Sequence, residues 1–135
     1  RRWSEGSALV YQLEGNAWDK AGRTSKAVSL YRAGLEQYPL AGNLHYELGV
    51  LEAKHTNWPV ALYWWEKGIR SDPNYAPNYH WVSREMARLG QWYWAWVYGE
   101  LFCNLETSEE NRGGMAQQVE NRSKDIFLID MFIPC

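Results

Sequence analysis

The sequence predicts an all-α solenoid: three helix pairs in register, followed by a capping helix at the C-terminal end. Three observations carry that expectation. Residues recur at a spacing of 34, with Gly15, Gly49 and Ser83 in one series, Ala27, Ala61 and Ala95 in a second, and Gly34, Gly68 and Phe102 in a third. Pro39 with Pro73 and Trp58 with Trp92 keep the same step. Each period holds two stretches of helical apolar spacing separated by Gly or Pro. The small residues fall where two helices would cross closely, and a larger side chain there would hold the backbones apart. One such pair cannot bury its apolar face alone, so at least three stacked units are expected. Three are found, over about 8–41, 42–75 and 76–109, and the 135 residues read as a single domain.

In the first unit, Ser4-Glu5-Gly6-Ser7 offers an N-cap. Ala8, Leu9, Tyr11, Leu13, Gly15 and Trp18 then carry a helical spacing to a stop at Gly22. Thr24 or Ser25 caps the second helix, whose stripe is Ala27, Val28, Leu30, Tyr31, Gly34 and Leu35, ended by Tyr38-Pro39. The second unit predicts helices over about 43–55 and 58–70. Asn57 is its candidate cap, Pro59 sits in the first turn where its missing N–H costs nothing, and Pro73 stops the second helix. The third begins after Pro73 and Pro77, turns inward Tyr79, Val82, Met86 and Leu89, turns at Gly90 and continues from Gln91 to Leu105. That last helix has two apolar faces, Trp92, Ala95, Gly99 and Phe102 against Trp94, Val97, Leu101 and Leu105. A solvating helix from Ser108 to about Lys124 is therefore expected, weakened by Gly113-Gly114, and the apolar run from Ile126 to Ile133 continues it or packs as an extended tail.

Composition excludes several classes. Hydrophobic residues make up 46% and mean hydropathy is −0.55, a balance that affords a sizeable core. Net charge is −2, distributed as +2 over 1–41, −1 over 42–75, −2 over 76–109 and −1 over 110–135, which argues against a phosphate-neutralising nucleic-acid face. No run is long enough to span a membrane, and the abrupt start at Arg1-Arg2-Trp3 reads as an excised piece of a longer protein. Cys103 and Cys135 form no metal-binding or redox spacing, so Cys103 is expected as a small buried hydrophobe, with a single disulfide the only alternative. Asn121-Arg122-Ser123 fits a glycosylation sequon, a triplet common by chance.

The stretch from Gly42 to Tyr75 resembles a tetratricopeptide repeat (TPR), with Leu48-Gly49 in the first helix, Trp58 opening the second, Ala61 one turn on, and Asp72-Pro73 at its end. The resemblance implies a right-handed solenoid whose first helices line a concave groove that binds a protein or peptide partner, with no cofactor. It carries the contact positions onto Gln12, Asn16 and Lys20, then Tyr46, Val50, Ala53 and Lys54, then His80, Arg84, Ala87 and Arg88. Four cations and an aromatic in that set suit an acidic peptide, unless Glu47, Glu52 and Glu85 neutralise the cations. The subfamily that clamps chaperone C-terminal carboxylates fits less well: Asn16 matches its asparagine, whereas Gln12, Glu47, Pro77 and Trp81 replace its other polar positions. The segment from Val97 to Glu106 is similar to one in bacterial TPR proteins without an assigned activity.

Eight of the nine tryptophans divide into two groups. Trp18, Trp58, Trp65 and Trp92 fall where the family packs bulky aromatics between helices. Trp64, Trp81, Trp94 and Trp96 fall outside those places and form a candidate second interface, for self-association into a homo-oligomer or for docking onto other parts of a larger protein. Glu52 and His55 share a helix face but lack a second such pair, and His45 belongs in an aromatic slot, so no metal site is expected. No GxSxG, HExxH or phosphate-cradling loop occurs, and the chain is not expected to be an enzyme.

Overall fold

The computed structural model describes residues 2–108, with side chains from Ala8 to Glu106. Six helices follow in order: α1 (Arg2–Lys20), α2 (Thr24–Gln37), α3 (Gly42–Lys54), α4 (Trp58–Ser71), α5 (Ala76–Arg88) and α6 (Trp92–Ser108). Among the described residues there is no strand. Each odd helix packs on the even helix that follows it. The chain divides into two compact units, one ending at Tyr75 and one beginning at Ala76.

The turn inside each pair repeats with the period of the sequence. Arg23, Asn57 and Gln91 donate their N–H groups to the carbonyls of Trp18, Glu52 and Met86 at 2.8, 2.9 and 2.8 Å. Such six-to-one closure of a helix end requires a left-handed residue just before the donor. Gly22, Thr56 and Gly90 supply it, with φ of 85°, 60° and 79°. Glycine takes that conformation freely, whereas β-branched Thr56 is strained in it.

This closure explains where the expected caps went. Residues 23 and 57 end one helix and cap the next, so their side chains lie back against the preceding helix. Asn57 occupies the N-cap of α4, but its amide donates to Glu52 Oε1 at 3.1 Å and makes no cap bond. Arg23, not Thr24 or Ser25, is the N-cap residue of α2, and Thr24 Oγ1 donates to Asp19 Oδ1 at 3.4 Å. Three further boundaries differ from expectation, the first being that α5 begins at Ala76 and holds Pro77 in its first turn rather than starting after it. Helix α1 runs through Ser4 to Ser7 instead of being capped by them, and α6 continues past Leu105 to Ser108. The expected capping helix, the apolar run 126–133 and the sequon lie outside the described residues.

In the first unit, Ala27, Tyr31, Leu44, Leu48, Leu51 and Trp64 form one buried cluster, with Tyr11, Trp18, Val28, Leu35 and Val60 packed on it. Helix α3 crosses α4 at Gly49, where a Cβ would land on the indole of Trp65, itself 0% exposed. Trp65 Nε1 donates to the Tyr46 carbonyl at 3.3 Å, so the ring is fixed at both its apolar and polar ends. Gly15 stands in the same relation to the Tyr31 ring. Asp72, just after α4, accepts the Gly42 N–H at 3.1 Å and satisfies a free donor at the start of α3. In the second unit, Val82, Ser83 and Ala95 are fully buried, and Ser83 Oγ donates across the pair to the Ala95 carbonyl at 2.7 Å.

Cys103 is buried as expected, but it is disulfide-bonded and not a free thiol. His45 fills its slot between α3 and α4, 6.0 Å from the Trp64 ring, with Nδ1 2.9 Å from the Ala41 carbonyl. Burial is the main cause of its lowered pKa, so it is held neutral.

Candidate functional site

In the first unit α1 packs beside α3, and a polar lattice covers the seam. Gln12 Nε2 donates to Glu47 Oε2 at 2.8 Å, and Asn43 Nδ2 donates to Gln12 Oε1 at 2.9 Å. Asn16, with its amide nitrogen turned toward the surrounding acceptors, donates to Glu47 Oε1 at 3.2 Å and to the Gln12 carbonyl at 3.3 Å, and touches the Tyr31 hydroxyl. The Tyr75 phenol also hydrogen-bonds Gln12. One turn beyond, Lys54 Nζ bridges Asp19 Oδ2 at 2.5 Å.

The charges register on the two phenols. Burial first, then the nearby negative charges of Glu47 and Asp19, hold the Tyr31 hydroxyl well above the usual tyrosine range. For Tyr75 burial again leads, followed by Tyr46, with Glu47 and Asp72 adding to the rise and the Gln12 hydrogen bond opposing it. Both phenols are therefore neutral hydrogen-bonding groups over the physiological range.

The sequence-predicted positions separate into two sets. Gln12, Asn16, Val50, Ala53 and Arg84 are half-buried, while Lys20, Lys54 and Arg88 are exposed. Tyr46, His80 and Ala87 are buried and cannot reach out as ligand-contacting groups. Tyr46 instead packs edge-on to Tyr75, ring centroids 6.0 Å apart, because its helix position turns it toward the end of α4. His80 is 0% exposed and packs on Phe102 at 5.3 Å and Trp81 at 5.6 Å. Sequence reasoning missed Asn43, Tyr75 and Asp19 as members of the lattice. Asn43 was legible, since it lies one helical turn before Glu47 on the same face.

Three of the four cations of the expected set, Lys54, Arg84 and Arg88, are engaged. Lys54 meets Asp19 rather than Glu47 or Glu52. Arg88 forms a two-pronged bond with Glu85 at 2.9 and 2.5 Å, and that carboxylate is buried. Arg84 stacks its guanidinium over the Trp81 ring at 4.1 Å.

The two tryptophan groups are also redistributed. Trp64, assigned to a surface interface, is 8% exposed and belongs to the core, with Arg32 5.5 Å and Lys67 5.6 Å from its ring. Trp92, assigned to the core, is 43% exposed. Trp94 and Trp96 are exposed, at 48% and 42%, and Trp81 is half-buried under Arg84. Among the described residues no group of three or more His, Cys, Asp or Glu could hold a metal, and no helix is long and apolar enough to cross a membrane.

In fold the chain is similar to solved TPR domains. The TPR2B domain of yeast Sti1, in complex with pHsp70, shares 19% identity over 85% of this chain and 91% of that one, with a TM-score of 0.68. The TPR2AB region of yeast Sti1, in complex with pHSP90, shares 19% identity over 86% of this chain and 45% of that one, with a TM-score of 0.67. The first TPR of Spaghetti (RPAP3), bound to the HSP90 peptide SRMEEVD, shares 18% identity over 88% and 94%, with a TM-score of 0.64. No family model matches the chain, and no curated protein matches it. The fold is the all-α fold of TPR domains.

Proposed function

We propose that this chain is a protein-interaction module, without catalytic activity, that binds a peptide segment on the exposed face of α1 and α3. The observation that carries this reading is the lattice of Gln12, Asn16, Asn43 and Glu47. It places half-exposed amide and carboxylate groups in a fixed array beside Tyr75, suited to the main chain of an extended peptide. The fold neighbours solved with peptides support the same use of the fold. Lys20 and Lys54 on this face, with Arg84 and Arg88 of α5 as the contact set of the second unit, favour a peptide of acidic character. Asp19 and Glu85 already partner two of these cations, so an acidic ligand competes with them and gains steering more than affinity.

The ligand differs in kind from a free C-terminal carboxylate. Gln12 and Glu47 stand where the carboxylate-clamping subfamily has cations and amides, and Pro77 at its third-unit position is buried.

The test is a titration of the protein with labelled acidic, neutral and basic peptides, each with a free and an amidated C-terminus. Expected are tighter binding of the acidic set, weakening as salt rises, and indifference to amidation. Lys54→Ala with Arg84→Ala should weaken it further with little change in melting temperature. Arg88 is left in place because removing it would strand the buried Glu85 carboxylate. Binding indifferent to salt and to the double substitution removes the acidic specificity, and no binding of any peptide removes the module reading.

A further inference from the structure

Two cations of the first unit converge on one indole. Arg32 of α2 holds its guanidinium 5.5 Å from the centre of the Trp64 ring. Lys67 of α4 holds its ammonium 5.6 Å from the same centre and 5.8 Å from that of the Tyr63 ring. Trp64 is buried and anchors both side chains, while Tyr63, edge-on to it at 5.4 Å, is 50% exposed. Tyr63, Lys67 and Arg70 step by four and three residues along one face of α4, which adds a third cation beside the pair. Glu36, Glu66 and Asp72, the carboxylates closest in sequence, form no ion pair with any of the three among the described residues.

A ring holds a cation through its quadrupole and leaves the charge in place, whereas a carboxylate partner cancels it. Arg32 and Lys67 therefore differ from Lys54 and Arg88, which Asp19 and Glu85 already neutralise. The Lys67 charge is felt behind the indole. His45, buried 6.0 Å from the Trp64 ring, has its pKa lowered first by burial and then, against the hydrogen bond to Ala41, by Lys67. We infer that Arg32 and Lys67 form a second binding site, for an acidic segment of a partner protein whose carboxylate bridges the two cations across α2 and α4. An apolar side chain next to that carboxylate lies on the exposed Tyr63 ring, a contact that an inorganic anion does not use. Both cations are held on the indole before the partner arrives, so little side-chain freedom is lost on binding. The site lies on α2 and α4 and shares no residue with the lattice of α1 and α3, so either can fail without the other.

The test titrates the full 135-residue chain with a peptide of glutamates flanking one leucine, and with its glutamine counterpart, while NMR follows the His45 imidazole. Saturation with the acidic peptide should raise the His45 pKa, because the arriving carboxylate offsets the Lys67 charge. The rise should persist in Lys54→Ala with Arg84→Ala and vanish in Arg32→Gln with Lys67→Gln. In the Lys54→Ala, Arg84→Ala background, adding the two glutamines should weaken acidic-peptide binding roughly fivefold. Arg32→Lys, which keeps the charge, should bind nearly as the native chain does, and Tyr63→Ala should weaken the leucine-containing peptide. The inference is overturned by a native chain whose His45 pKa does not move on saturation, or by a rise that survives Arg32→Gln with Lys67→Gln. An equal rise with inorganic phosphate, together with indifference to Tyr63→Ala, would mean an anion site without peptide recognition and overturns it too. Binding lost in Lys54→Ala with Arg84→Ala alone would also overturn it, while leaving the α1 and α3 reading intact.

Discussion

The α3–α4 and α5–α6 pairs solve the same crossing in opposite ways. In α3–α4 a glycine on the first helix, Gly49, admits a large aromatic from the second, Trp65. One period on, Ser83 stands for Gly49 and Gly99 for Trp65, and the close approach is held by a hydrogen bond from Ser83 to the Ala95 carbonyl instead of by a buried ring. The size lost at Gly99 reappears at Phe102, which replaces the glycines at positions 34 and 68 and packs on His80. What the period conserves is therefore the summed volume at the crossing, because close packing penalises a void as it penalises a clash. Identity at each position is free to trade.

The comparison breaks most visibly at Gly49. Gly49→Leu drives a side chain into the Trp65 ring and should lower stability by at least about 3 kcal/mol, read as a large fall in melting temperature. An unchanged melt would mean that α3 and α4 do not cross at Gly49. Ser83→Ala asks whether the hydrogen-bonded crossing matters as such. It deletes one buried hydrogen bond with almost no change in volume, and a loss of about 1 kcal/mol is expected in denaturant unfolding. A neutral result would show that Gly99 and Ser83 hold the approach by size alone.

The turns sharpen the same contrast, since two of the three left-handed positions are glycine and one is Thr56. Thr56→Gly relieves the strain of a β-branched residue at positive φ and should raise stability by about 0.5–1 kcal/mol, after allowing for the greater freedom of glycine in the unfolded chain. The bond from Thr56 Oγ1 to the His55 carbonyl is local and exposed, and its loss does not offset this gain.

The smallest effect separates the pairs by pH. His45 has a folded pKa below its ordinary 6.5, so the unfolded chain binds the proton more readily. Its contribution is fully present above about pH 6.5 and is lost as pH falls below that value toward the folded pKa. Melts at about pH 7.5 and about pH 5.5 should show a larger drop for the native chain than for His45→Gln. Equal drops would place the acid sensitivity elsewhere.

By itself the sequence determined the helices, their pairing and their crossings. Helical spacing, a repeat of 34 and small residues at fixed offsets are local or strictly periodic signals, and α3 and α4 fall within one residue of the expected 43–55 and 58–70. It also located Gln12, Asn16, Lys54 and Arg84 on accessible parts of their helices. Tertiary structure decided the partners and the depth of burial. Adjacent Trp64 and Trp65 are both drawn inside because α4 has apolar neighbours on two sides, whereas Trp92, which holds the place of Trp58 one period on, is 43% exposed. Lys54 finds Asp19, 35 residues away, and Asn57 turns back to Glu52 because a helix end bends it there. A repeat register says which residues correspond. Only the packed chain says which of them meet, since a side chain's partner depends on the distance between elements that the register does not encode.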